Sequence, residues 1–429
     1  MFYFLFFCVI IFQKEKIMPT ILHCDINNFY ASVECVLNPA LGKFPVAVAG
    51  SPRQRHGVVL AKNELAKKCG VKTGDVIWEA RQKCPKLICL PPQFAKYQEF
   101  SKQVVDIYAR FTDKIESFGP DECWLDVTHS ARLFGDGKTI ADNLRKIVQN
   151  ETGLTISVGV SFNKYFAKLG SDLKKPNATT VISEENFKQK IFNLSADKLI
   201  FIGKKTYKKL NKLNIFSIGD LAQADPLLLQ KHFGIIGPRM QRIANGEDNT
   251  EICDLNCNNE QKSVGNGLTA LRDITTKQEI TSAVLVLSEK IAYRMRAMGV
   301  CGRTVHLTIK DSSLNSVGHS STLNFGTNMS LEIANCAIEL FDKFWANQQN
   351  LSVRAVRISV SNLSKIQSNL SQMTFFEDKK HKKLNKLSAV CDKIRDKYGY
   401  YSIRNANTIN KDFVNYFEAD KDQNDITLE

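Results

Sequence analysis

From Met18 onward, short apolar runs alternate with stretches whose apolar residues recur at helical spacing. "TILHCDI", Thr20 to Ile26, predicts a buried strand that ends in an acid, and "NFYASVECVLNPAL" predicts a helix halted near Pro39. "FPVAVAG" and "GVVLA" predict two strands either side of a turn rich in Gly, Pro and Arg, and "KNELAKKCG" a short basic helix stopped by Gly70. "KIESFGPDECWLDVT" predicts a hairpin that turns at Gly119-Pro120. A helix at "KTIADNLRKIVQNETG" and a strand at "LTISVGVS" come next, so residues 18 to 182 alternate α and β.

From about Ser183 the pattern turns helical and Lys-rich, with Gly-centred turns in "FIGKKTYKKLNKLNI" and "HFGIIGPRMQRIANG". "DLNCNNEQKSVGNG" predicts a polar linker. Beyond it, the strand-like runs "RTVHLTIK" and "VRAVRISVSNL" flank a helix at "LEIANCAIELFDKFWANQ", which predicts a small α/β domain with basic strands. A Lys-rich helix is expected from Lys379, followed by an acidic, frayed end.

The hairpin poses a problem that composition sharpens. The chain of 429 residues carries 58 Lys and Arg against 44 Asp and Glu, a formal net charge of +14, which suits a polyanionic partner. Yet Asp121 and Glu122 stand side by side, with Asp126 beyond them. On the second strand Glu122, Trp124 and Asp126 share one face, and Cys123, Leu125 and Val127 the other. At the hairpin tip the pleat is not yet established, so Asp121 and Glu122 can point to one place. Crowded carboxylates repel, and a divalent cation removes that cost; Mg²⁺ takes such oxygens together with substrate phosphates. With Asp25 as a third acid the set could hold two ions about 3.5–4 Å apart for displacement at phosphorus. A solvated turn is the plainer account of an Asp-Glu pair after Gly-Pro.

The twelve cysteines show no zinc or disulfide framework, so reduced thiols are expected. "MFYFLFFCVIIF", Met1 to Phe12, is too short for a membrane-spanning helix and lacks the flanks of a signal peptide. Translation is expected to start at Met18, with residues 1–17 a mis-assigned start or a disordered leader.

"DINNFYASVE", then "DECWLDVT", then "GVSFNKYFAKLGSDLKKP", in that order, resemble the signature set of the Y-family DNA polymerases, the DinB/UmuC-like translesion enzymes of bacteria. The resemblance extends from Met18 to about Tyr400. It implies an α+β, right-hand polymerase: a ferredoxin-like palm in residues 18–182 with small fingers inserted at about 38–93, a helical thumb with helix-hairpin-helix elements at 183–252, a linker at 253–261, an α/β little finger at 262–370 and a tail at 371–429. It implies error-prone extension of a primer 3′ end on DNA by two-metal nucleotidyl transfer, with two Mg²⁺ ions per active site. Asp25 and Asp121 would ligate both ions, the carbonyl of Ile26 would add an oxygen, and Glu122 would be the third catalytic carboxylate; Asp126 stays structural. Tyr30 falls on the steric-gate position with Phe29 beside it.

Lys67 and Lys168 are the cations matched to the triphosphate. Here the fingers depart from the family, which often has Tyr and Arg where this chain has Glu64 and Lys67; Lys keeps the charge without bidentate geometry. Lys204 and Lys205 in the thumb and Arg303, Lys310, Arg354 and Arg357 in the little finger are candidate contacts to DNA phosphate, which give affinity without sequence preference. "QMTFF" resembles a sliding-clamp docking peptide, with Gln372, Met373, Phe375 and Phe376 as its anchors. The implied partners are primer-template DNA, deoxynucleoside triphosphates and a sliding clamp, with no membrane, for a monomer in the cytoplasm. Two rivals remain: a nucleotidyl cyclase built on a palm-like sheet, and a catalytically silent, clamp-tethered DNA-binding protein.

Overall fold

The computed structural model describes residues 18–50, 57–248, 250–254, 261–345, 352–365 and 379–406. Residues 1–17, the "QMTFF" peptide and the acidic end beyond residue 406 lie outside them.

The chain starts with the fully buried strand β1 (Ile21–Ile26) and helix α1 (Phe29–Leu37). A small unit follows: β2 (Val46–Ala49), β3 (Val59–Lys62), α2 (Glu64–Lys68), α3 (Ile77–Lys83) and β4 (Ile88–Leu90), with sheet order β3-β2-β4. Its core is mostly small side chains, among them Ala47, Val59, Ala66 and Ala80. α4 (Phe94–Tyr108) leads back to the hairpin β5 (Ile115–Ser117) and β6 (Glu122–Asp126), which turns through Gly119 at φ +115°, a conformation glycine adopts without a Cβ clash. Then come α5 (Ala131–Phe134), α6 (Gly137–Thr152), β7 (Ile156–Ser161), α7 (Lys164–Leu173) and β8 (Thr179–Ile182).

These strands form a sheet ordered β5-β6-β1-β7-β8, in which only β7 and β8 run parallel. One face carries Leu22, Cys24, Ile26, Cys123 and Leu125 into a core with Tyr97, Tyr108, Ile140 and Leu144 of α4 and α6. The alternate positions, His23, Asp25, Glu122 and Trp124, therefore fall on the other face, as the strand period requires. α7 covers that face, packing on β1 and β7. It lies so close that a Cβ on Gly159 would run into the Ala167 carbonyl and the Ser171 amide. Only glycine permits that approach, which sets the height of Lys168 and Ser171 above the strands.

Residues from Phe187 to Ala244 form a helical unit of α8 (Phe187–Ile191), α9 (Lys204–Asn211), α10 (Ile218–Gln223), α11 (Pro226–Phe233) and α12 (Ile236–Ala244). Its core includes Phe187, Leu210, Ile218, Leu229 and Met240. Ser217 and Asp220 close a reciprocal cap on α10, which satisfies amides that the helix itself leaves unpaired.

The last unit is larger than the sequence pattern predicts. β9 (Ser263–Ile274), α13 (Lys277–Ala297), β10 (Val300–Asp311), β11 (Ser316–Thr327), α14 (Ser330–Phe344) and β12 (Val353–Lys365) build an antiparallel sheet ordered β11-β10-β12-β9 around its own core. Four strands and two helices stand where two strands and one helix were expected. The predicted linker is also corrected: Ser263 to Gly267 belong to β9. Gly265 lies so close to Ser359 of β12 that a side chain would clash, so this glycine serves strand packing instead of a linker. α15 (Lys379–Tyr398) docks on α13 through Arg296 to Asp392 at 2.6 and 2.8 Å and Arg395 to Glu289 at 2.7 Å.

Candidate active site

Antiparallel pairing of β1 with β6 sets Asp25 directly opposite Glu122 and His23 opposite Trp124. Directly opposed residues on neighbouring strands project to the same face. Asp121 follows at once, because its carbonyl accepts the N–H of Ile26 at 2.9 Å. Two segments far apart in sequence thus deliver three acids to one sheet end. Asp126 lies at the other end of β6, opposite Ile21, where one carboxylate oxygen accepts both the N–H and the hydroxyl of Thr128.

Two ammonium groups meet these acids from α7 and the turn after it. Lys168 Nζ lies 3.2 Å from Asp25 Oδ2, 3.0 Å from Glu122 Oε1 and 3.2 Å from Asp172 Oδ2. Lys175 Nζ lies 2.6 Å from Asp25 Oδ2 and 2.9 Å from Asp172 Oδ1. Lys175 is the more open of the two, its side chain 28% exposed against 12% for Lys168.

The two neighbouring acids are pushed apart electrostatically. Burial, with the charges of Asp25 and Glu122, raises the pKa of Asp121 to about 6. Burial acts upward on Glu122 as well, but the neighbouring His23 ring and the charge of Lys168 outweigh it and hold its pKa at about 2. Burial lowers the pKa of His23, against the upward pull of Glu122. Burial also opposes the charges on Lys168 and Lys175, yet Asp25 and its neighbours raise both. A pair of titratable groups driven in opposite directions marks a functional cleft. Three carboxylates and a backbone carbonyl are the hard oxygen donors that Mg²⁺ takes, so the residues fit a divalent ion by chemistry. Among the described residues no group of His, Cys, Asp and Glu is already gathered as a metal cage; the lysines hold Asp25 and Glu122 instead.

Tyr30 sits on an aromatic platform beside the acids. Its ring stacks on Tyr97, 4.3 Å between centroids and 15° between planes, and meets Phe94 edge-on at 5.9 Å. Tyr97 donates from its hydroxyl to the buried Glu34 at 2.6 Å, and Gln93 donates to the same carboxylate. Burial and the charge of Asp121 raise the pKa of Tyr30. Phe29, buried, contacts Tyr30 at 5.4 Å.

The fingers candidates are held differently. Lys67 is half exposed on α2 and lies 3.4 Å from Glu64. Glu64 accepts from the side-chain amide of Asn28 at 2.9 Å, and Asn28, at φ 53°, caps the start of α1. Glu64 therefore ties the small unit to the helix that carries Tyr30.

The remaining candidates lie on other units. Lys204 and Lys205 are exposed at the start of α9. Lys310 and Arg357 lie on the sheet face opposite the core residues Ile309 and Ile358, with Arg357 paired to Thr308. Arg303 donates to the Leu323 carbonyl at 3.3 Å, and Arg354 falls where the β12–β9 register shifts. Gln372, Met373, Phe375 and Phe376 lie outside the described residues.

Residues 24–172 match the impB/mucB/samB family, and residues 261–375 match that family's C-terminal domain. The chain is 46% identical to "DNA polymerase IV" of Acetivibrio thermocellus over 90% of this chain and 96% of that protein. It belongs to the Y-family DNA polymerases. The "DNA polymerase IV" of Pelotomaculum thermopropionicum is 35% identical over 90% of this chain and 94% of its own length. A solved Y-family DNA polymerase chimera superposes with a TM-score of 0.71 over 81% of this chain and 99% of its own, at 24% identity, a likeness of fold alone. The α+β architecture of this bacterial, DinB-like Y-family chain is thus the polymerase fold.

Sequence reasoning missed four parts of this Y-family site: Lys175, His23, Ser171 and the Tyr97–Glu34 support. Lys175 and Ser171 both fall inside the stretch "GVSFNKYFAKLGSDLKKP". His23, one alternation before Asp25, lay unremarked in the predicted buried strand.

Proposed function

We propose that this chain adds deoxynucleotides to a primer 3′ end by two-metal nucleotidyl transfer, with Asp25, Asp121 and Glu122 as its catalytic carboxylates. Family membership makes it a DNA-directed, translesion DNA polymerase that depends on a divalent metal ion, acting on primer-template DNA and nucleotides. The pairing of Asp25 with Glu122, with Asp121 strapped to Ile26, carries the assignment of the site. Asp25, Asp121, Glu122 and the carbonyl of Ile26 would hold two Mg²⁺ ions. When bound, such ions polarise phosphoryl oxygen and acidify the attacking hydroxyl.

The chain's own residues do the rest. Lys168 and Lys175 neutralise Asp25 and Glu122 in the resting site, and their charge turns to the triphosphate when substrate enters. Lys175, the more open, reaches it more readily. Tyr30, fixed against Tyr97 and Phe94, closes the space beneath the sugar and rejects a 2′-hydroxyl. The five-stranded sheet serves as palm, the β2–β4 unit as fingers, α8–α12 as thumb and β9–β12 as little finger. Lys204, Lys205, Lys310 and Arg357 track the duplex backbone, with Arg303 and Arg354 alongside. The chain works as a monomer in the cytoplasm, tethered to a sliding clamp through Gln372 to Phe376.

Primer extension by Asp121→Asn and Glu122→Gln tests the assignment. Both variants should bind primer-template as the parent does and fail to extend it; extension at the parental rate would remove these acids from the chemistry.

A further inference from the structure

His23 is buried completely on β1, and the polymerase reading gives it no task. Its Nδ1 lies 2.8 Å from the Ser171 hydroxyl, which itself lies 2.8 Å from the carbonyl of Lys168 one turn earlier on α7. Its Nε2 lies 3.4 Å from Glu122 Oε2. Both of these last atoms are buried and lack a well-formed hydrogen bond. The other oxygen of Glu122, Oε1, is taken by Lys168 at 3.0 Å.

The proton count on this chain of atoms decides what His23 does. Ser171 has one hydroxyl hydrogen and two acceptors within reach, the Lys168 carbonyl and His23 Nδ1. In a neutral ring, if that hydrogen goes to the carbonyl, Nδ1 must carry the ring's hydrogen and donate to Ser171. Nε2 then turns a bare lone pair on a carboxylate oxygen, and two buried acceptors are left facing each other, each at the cost of an unsatisfied polar group. If Ser171 donates to Nδ1 instead, the ring's hydrogen sits on Nε2 and points at Glu122 Oε2. Closing the gap by about half an ångström makes an ordinary charge-assisted hydrogen bond. Both orphaned atoms are satisfied by that one change, and the Lys168 carbonyl, inside a helix, loses only a second partner.

We propose that His23 is a positioning residue for Glu122: it holds the Nε2–H tautomer, set by the Ser171 hydroxyl, and grips the carboxylate oxygen that Lys168 does not. The assignment of Glu122 as a catalytic carboxylate underlies this role. When Lys168 turns toward an anionic substrate, Glu122 loses the partner on Oε1 and keeps the one on Oε2. The sheet then still fixes its direction, because His23 is clamped between Trp124, 5.1 Å away edge-on, and α7.

Imidazole ¹⁵N spectroscopy on the full-length, metal-free protein reads the tautomer directly, with the His23 signals identified by their loss in His23→Gln. A protonated Nε2 and a bare Nδ1 are expected; the reverse pattern, or a ring protonated on both nitrogens, overturns the proposal whether or not Glu122 is catalytic. In single-turnover extension, His23→Leu should lower the maximal rate roughly ten- to a hundred-fold, the usual cost of losing an outer-shell partner, with nucleotide KM and primer-template Kd unchanged. His23→Gln, whose amide can still donate, should recover most of that rate. A parental rate in His23→Leu refutes the role, and the tautomer still decides if that variant fails to fold. Loss of extension in His23→Leu beside full activity in Glu122→Gln would instead overturn the assignment of Glu122 itself.

Discussion

Lys168 and Glu122 lie 3.0 Å apart on the palm, and Lys67 and Glu64 lie 3.4 Å apart on the fingers. The first pair joins a strand to a helix folded over it, mostly buried, with Asp25, Asp121, His23 and Lys175 around it. The second joins successive turns of a five-residue helix in water, above a core of small side chains. In the palm, burial makes each charge depend on its neighbours, and the sheet cannot relax to relieve them. On the fingers, water screens the pair, and such contacts contribute little. Separation alone therefore says nothing about what a lysine–carboxylate pair does; the surroundings decide.

The most severe way to break the palm arrangement is to remove one acid. Asp121→Asn should abolish extension by on the order of a thousand-fold or more, the scale of losing one electrostatic stabiliser of a transition state. The same change should stabilise the metal-free fold. Asp121 has a native pKa raised to about 6 from 3.8, so the unfolded chain ionises it more readily and the native state is penalised as pH rises through that window. Asparagine removes the penalty, a gain of up to about 3 kcal/mol above pH 6 that vanishes below pH 4. Urea unfolding in EDTA at pH 7.5 and pH 3.5 measures it, and a gain equal at both would refute the electrostatic cause.

Replacing one lysine at a time is a milder break. Lys175→Met and Lys168→Met should each reduce kcat/KM for nucleotide roughly a hundred-fold, the cost of a lost charged partner in a shielded site. Lys168→Met should also lower stability, since it takes from Glu122 the lysine that holds it and leaves Asp25 to Lys175 alone, whereas Lys175→Met leaves Lys168 to hold both acids. Thermal unfolding separates the two; equal loss in both variants would show that the lysines share the acids evenly. Tyr30→Ala tests the platform rather than the charges, and ribonucleotide incorporation should rise roughly a hundred-fold relative to deoxynucleotide. No rise would make Tyr30 a packing residue.

Much of the palm was legible because its signals are local. Period-two alternation put Cys123 and Leu125 on the face opposite Trp124, the Gly-Pro turn marked the hairpin, and one motif carried Asp25 to within a helix of Tyr30. The support of the site was not legible, because it arises where elements cross. His23 differs from a core residue only when α7 brings Ser171 over it, and Tyr97 supports Tyr30 only because α4 lies against α1. The little finger misled for the opposite reason. Gly265, Asn266 and Gly267 read as the end of a polar linker, but the strand uses its glycine to let β12 approach. β11, polar on both faces and largely exposed at the sheet edge, lacks the apolar alternation that reveals a strand.

The fingers pair gives the smallest effect and the sharpest contrast. Lys67→Ala should change folding stability by less than about 0.5 kcal/mol, as an exposed pair on one helix does. Lys67→Arg should lower the nucleotide KM by roughly two- to five-fold, because a guanidinium offers a planar fork to phosphate where an ammonium offers a point charge. Glu64 limits that gain, since it binds Asn28 through Oε1 and stands beside any phosphate that Lys67 could reach. Glu64→Gln keeps an amide oxygen for Asn28 and removes the negative charge. Combined with Lys67→Arg, it should lower KM beyond the sum of the single changes if both face the triphosphate. Steady-state kinetics on the four proteins of this double-mutant cycle gives the coupling directly. A coupling of zero would mean that the fingers pair merely ties α2 to α1, and that nucleotide affinity in this chain comes from the palm lysines alone.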